Sequence, residues 1–206
     1  MRTYIYKGFE RFWHWTQASL ILLLAFTGFE IHGSYQFLGY RQAVACHNAA
    51  AISLLVLIAF AIFWHFTTGE WRQYVPTRRF LRAQVDYYLV GIFRDAPHPT
   101  RQTAAKKLNP LQKLAYLGLK ILVIPVMVVS GLFYMFHRTG ASLTVIAVIH
   151  TAGAFFLVAF VAGHIYLTTT GRAVLSNLKA MITGYEELEH EPEVPAAASP
   201  MARGEA

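Results

Sequence analysis

Four long apolar runs, with the charged residues gathered between them, set the pattern of this chain. They extend from about Phe12 to Ile31, Ala43 to Thr68, Leu111 to Phe136 and Thr144 to Thr170. At about 1.5 Å rise per residue, helices of these lengths match or exceed the ~30 Å hydrocarbon layer of a bilayer. The last run is the plainest: TVIAVIHTAGAFFLVAFVAGHIYLTTT contains no Asp, Glu, Lys or Arg. Asn109 and Pro110 suit the cap and first turn of the third helix, and Pro125 predicts a kink inside it. The expected fold is all-α: an integral membrane bundle of four helices within residues 1–182, with a disordered acidic and Ala/Pro-rich tail over 183–206.

The connections fix an orientation. The longest, 69–110, carries eight lysines and arginines, and the N-terminus adds Arg2, Lys7 and Arg11. The two short links hold only Arg41 and Arg138. The positive-inside rule therefore places both termini and the long connection in the cytoplasm. Within that connection, Phe80 to Phe93 reads as an amphipathic helix on the membrane surface. The formal charge of +7 then belongs to membrane topology and to lipid, not to nucleic acid. Cys46 is the sole cysteine, which excludes an internal disulfide, a four-cysteine iron–sulfur cluster and a C-x-x-C-H haem attachment. The first run lacks an A-x-A-like cleavage site and is expected to persist as a helix.

The candidate chemistry lies in the histidines. His150 and His164 are fourteen residues apart, nearly four turns, so both rings leave one face about 21 Å apart along the axis. Gly153, Ala154 and Leu157 lie on or beside that face and leave room for a flat group. His14 and Gly28 repeat the spacing on the first helix, and His47 and His65 share a face of the second. Followed through the topology, His47 and His150 fall at the outward depth, and His14, His164 and His65 at the inward depth. Imidazoles are costly in lipid unless they are used or hydrogen-bonded. Two of them facing each other across a bundle are what a b-type haem iron requires. A proton relay would ordinarily include acids, and here Glu30 alone stands at a span's end; a structural zinc site would need four ligands at one depth. Trp13 and Trp15 flank His14 and suit the headgroup layer.

The pieces ERFWHW, the histidine opening the second helix, TGEWRQYVPT, KLNPLQK and the paired histidines of the fourth helix occur together and in order. In these the chain resembles, over about residues 5–182, the di-haem cytochrome b subunits of bacterial respiratory oxidoreductases. Those are the formate dehydrogenase gamma subunit, the thiosulfate reductase cytochrome b and the nickel–iron hydrogenase b-type cytochrome. The resemblance implies two b haems, one held by His47 and His150 outward and one by His14 and His164 inward. It also implies a site for menaquinone or ubiquinone near Asn109, with Gln112 and Lys113 as helpers. His65 is an alternative inward ligand or part of the quinone site, and Arg11 and Arg41 are candidate propionate partners. By the same resemblance the chain is an electron-transfer subunit in the bacterial inner membrane. Its partners would be an iron–sulfur or multihaem subunit and the catalytic subunit behind it. Two rivals remain: a stand-alone di-haem superoxide:quinone oxidoreductase, and a non-redox transporter or scaffold whose histidines only pack.

Overall fold

The computed structural model describes residues 2–77, 80–94, 96, 99, 107–136, 142–169 and 173–187. Arg78, Arg79, Arg101 and Lys106 of the basic connection lie outside the described residues, as do His98, Arg138, Thr170 and the tail from 188 onward. The chain is mostly helical. Strand β1 (Arg2–Tyr4) leads into α1 (Gly8–Ile31), and α2 follows over Tyr40–Thr68. After a 3₁₀ turn at Glu70–Tyr74 come α3 (Leu81–Leu89), α4 (Pro110–Gly118) and α5 (Ile124–Phe136). The chain continues through α6 (Ser142–Thr168), α7 (Ser176–Thr183) and β2 (Tyr185–Glu187).

Among the described residues, three stretches are long and apolar enough to cross a membrane: Tyr40–Thr68, Pro110–Phe136 and Leu143–Thr168. The first helix has the length, but its opening turns carry Glu10, Arg11, His14 and Gln17, which lower its mean hydropathy. It begins a turn earlier than the apolar run because Glu10 reaches back to accept the Lys7 backbone N–H at 2.7 Å. The faces of these helices are largely exposed: Phe26, Val56, Phe60, Val129, Val145 and Phe155 all point outward. So much contiguous apolar surface suits lipid rather than water.

Helices α1 and α2 pack as one hairpin, and α5 with α6 as another. Ala43, Ala50, Leu57 and Ala61 are the buried apolar residues of α2, and such mostly small side chains let backbones approach closely. Between α4 and α5 the helix widens to a π turn at Leu119–Val123. Pro125 follows at once; its missing N–H and its ring against the preceding turn are the physical cause, so the expected kink takes the form of a π turn just before it.

Both hairpins bring one end to the two short strands. β1 and β2 pair antiparallel, Arg2 opposite Glu187, and this end of the molecule is called the strand end below. Gly184 makes the approach possible. Its φ of 87° disfavours any side chain, and a Cβ there would lie 2.8 Å from the Tyr6 carbonyl oxygen. The boundary drawn from the sequence at 183 thus falls at the end of α7, and 185–187 form a strand. The other end of the molecule, the far end, is tied by Glu30. Its Oε1 accepts the backbone N–H groups of Phe37, Leu38 and Gly39 at 2.8, 2.6 and 2.7 Å. One buried carboxylate therefore closes the link and caps the approach to α2.

Candidate haem-binding histidine pairs

The two hairpins meet through side chains more than through backbone. At the far end His47 of α2 faces His150 of α6, with ring centroids 6.4 Å apart and planes at 67°. At the strand end His14 of α1 faces His164 of α6, at 6.2 Å and 54°. Two metal–nitrogen bonds of about 2.0–2.1 Å, plus about 1.1 Å from each nitrogen to its ring centre, set centroids about 6.3 Å apart. Both pairs therefore have the separation of two imidazoles with one metal atom between them. Among the described residues, no three His, Cys, Asp or Glu side chains converge on one point; these histidines come in twos.

The far-end pair is held from behind. Thr27 Oγ1 lies 2.9 Å from His47 Nδ1, and Ser130 Oγ lies 2.9 Å from His150 Nδ1. In both cases the histidine follows the hydroxyl residue by 20 positions, on the next helix of its hairpin. A glycine follows each hydroxyl. A Cβ on Gly28 would lie 3.5 Å from His47 Cε1, and one on Gly131 would lie 3.3 Å from His150 Cε1. The repeat of Thr27-Gly28 and Ser130-Gly131 was available in the sequence, but a lone hydroxyl in an apolar run reads as ordinary helix. At the strand end the support differs: His14 packs edge-on against Trp15, and Phe160 stacks parallel to His164. His14 Nδ1 is buried with no hydrogen-bond partner among the described residues.

His65 is placed otherwise. Its Nδ1 donates to the Ala61 carbonyl at 2.6 Å, which leaves Nε2 to accept from the Tyr74 hydroxyl at 3.3 Å. Burial pushes the Tyr74 phenol well above the ordinary tyrosine range, so it stays a neutral donor. Trp13 lies edge-on to His65 at 5.2 Å, turned into the bundle instead of toward headgroups, while Trp15 donates to the Met181 carbonyl. Lys120, carried by the π turn, sets its ammonium 3.1 Å above the Tyr74 ring centre. Both His65 nitrogens are thus engaged away from His14 and His164.

Asn109 caps α4: its Oδ1 accepts from Gln112 N at 2.8 Å, and Gln112 Oε1 accepts from Asn109 N at 2.9 Å. Asn109 Nδ2 donates to the Tyr88 hydroxyl at 3.2 Å. Lys113 lies half-buried on the next turn. Arg11 donates to the Ile182 carbonyl at 2.6 Å, and Arg41 is exposed. Gly153 is covered by Met127, whose sulfur would be 2.5 Å from a Cβ there, so the room expected beside it is filled by a side chain.

An ion network locks the strand end. Lys107 Nζ lies 2.7 Å from Glu10 Oε1 and 3.6 Å from Glu70 Oε2, and Lys7 Nζ lies 2.6 Å from Glu70 Oε1. Burial pushes the Glu70 carboxyl up, but the Lys7 hydrogen bond and the Lys107 charge hold it below the ordinary carboxylate range. The hydrogen bond to Glu70 raises the Lys7 ammonium above its own.

The family described as prokaryotic cytochrome b561 matches residues 5–184. The chain is 30% identical over 197 residues to a protein of Escherichia coli (strain K12) named as a cytochrome, YdhU; the match covers 89% of this chain and 74% of that protein. No solved structure matches the chain. Paired membrane histidines, apolar helices and a family match across most of the chain lead to one conclusion: this chain belongs to the prokaryotic cytochrome b561 family and is a membrane b-type haem protein of electron transfer.

Proposed function

We propose that the chain is the membrane-anchoring cytochrome b subunit of a respiratory oxidoreductase, joining a partner redox subunit to the quinone pool. The observation that carries this is the pair of facing histidines at each end of α6, with centroids 6.4 and 6.2 Å apart. His47 and His150 would hold one b haem, His14 and His164 the other, and haem so bound supplies one-electron redox chemistry. Groups held by these pairs would stand at the two ends of α6, whose histidines lie about 21 Å apart along its axis. The four long helices form the bundle, with the strand end in the cytoplasm of a bacterial inner membrane, because the basic residues gather there.

The quinone site belongs at the strand end, near α4. Asn109 Nδ2 and the Tyr88 hydroxyl, now bonded to each other at 3.2 Å, are donors that can be exchanged onto a quinone carbonyl. Gln112 keeps Asn109 in place, and Lys113 offers a cation to the reduced oxygens. Tyr74 and Lys120 serve His65 as neighbours in the bundle and leave it out of ligation. The partner subunit, bearing iron–sulfur or multihaem centres, docks opposite the quinone site.

Purification in mild detergent tests the reading. It predicts two b haems per chain, quinol-reducible, and an iron–sulfur or multihaem companion that co-purifies. A chain active with superoxide and without any companion would reject the subunit assignment.

A further inference from the structure

We infer that Thr27 and Ser130 are positioning residues that set the tautomer of His47 and His150; the inference rests on these two histidines being ligands. A hydroxyl has one proton to give. Thr27 Oγ1 gives its proton to the Leu23 carbonyl at 2.8 Å, and Ser130 Oγ gives its to the Val126 carbonyl at 2.6 Å. Toward the imidazole each oxygen is therefore an acceptor, and the nitrogen 2.9 Å away must carry hydrogen. With Nδ1 protonated, Nε2 keeps its lone pair, and it is the nitrogen left to face the opposite ring.

Both hydroxyl residues are buried, Thr27 fully, so water does not compete for these bonds. The adjoining glycines leave each ring its room, since a Cβ on Gly28 or Gly131 would already lie 3.5 or 3.3 Å from Cε1. The device occurs twice, at the same spacing of 20 residues in each hairpin, and both copies act on the far-end pair. Among the described residues, His14 at the strand end has no such partner on Nδ1. Hydrogen bonding to the outer nitrogen raises the basicity of a ligating imidazole and favours the oxidised metal. The two centres are thereby made unequal by the protein.

The test uses the full-length protein with Thr27→Val, Ser130→Ala and the double variant, with Thr27→Ser and Ser130→Thr as conservative controls. Redox titration followed optically is expected to show the midpoint potential of one centre moving upward in the double variant while the other stays. Transfer of that haem to excess apomyoglobin is expected to become about 10- to 100-fold faster. The conservative controls restore both values. Unchanged potential and transfer rate in the double variant would overturn the inference, provided His47→Ala still loses a haem. If His47→Ala keeps both haems, the ligand assignment itself has failed.

Discussion

Replacing Lys107 by Met removes the hub of the strand-end network. The lysine side chain is only 8% exposed, and Glu10 and Glu70 are 14% and 13% exposed. The contact at 2.7 Å to Glu10 has a gross Coulomb energy of about 6 kcal/mol at an effective dielectric near 20. Relief of the ammonium's own desolvation offsets part of that, and Glu70 retains Lys7. A net loss of about 3–4 kcal/mol remains, in the range for breaking a buried pair. For a chain of this size that lowers the melting temperature by roughly 6–16 °C. Lys7→Met is the control: that side chain is 53% exposed and its pair contributes under about 1 kcal/mol. Because Glu10 belongs to the helix that carries His14, the haem of the His14–His164 pair should be lost first on heating. Thermal unfolding in detergent, read by haem absorbance and by tryptophan fluorescence, measures both effects. A Lys107→Met shift no larger than that of Lys7→Met would refute the account of the network.

The pH dependence follows from the same groups. Glu70 is held below its unfolded value, so its contribution is complete above about pH 4.3 and is lost as pH falls through the lowered value. Lys7 is raised, so its contribution is complete below about pH 10.4 and is lost as pH rises further. Glu70→Gln should flatten the acid limb of melting temperature against pH, and Lys7→Met the alkaline limb; limbs unchanged in these variants would contradict this. Glu30→Ala leaves the backbone N–H groups of Phe37, Leu38 and Gly39 without their acceptor and should lower the melting temperature in the same thermal assay, with the haem of the His47–His150 pair lost first. Gly131→Ala presses within 3.3 Å of His150 and should alter the reduced-minus-oxidised spectrum of one centre. Gly28→Ala, at an ordinary 3.5 Å from His47, should leave it nearly unchanged.

The helices were legible because full-length apolar runs with charges only between them admit few other folds. The cap at Asn109–Pro110 and the far-end histidines, 47 and 150, could also be placed, since spacing and depth suffice for them. What escaped the sequence is local polar bookkeeping inside apolar surroundings. Thr27 and Ser130 read as tolerated helix residues, because only the hairpin packing shows that their hydroxyls point at imidazoles. His65 could not be separated from His164 by depth; Tyr74, on a 3₁₀ turn no periodicity foretells, is what captures it. Glu30 looked like an acid at a span's end until the link folded back onto it. Strands of three residues, like β1 and β2, are too short for any alternation to show.

The haem-to-protein ratio, with reduced-minus-oxidised spectra, in single histidine variants tests the central claim most directly. The wild-type chain should carry two b haems; His47→Ala and His150→Ala should each lose the same one, and His14→Ala and His164→Ala the other. His65→Leu should keep both. A colourless wild-type chain, or a ratio unchanged when His47 and His150 are removed together, would contradict the account.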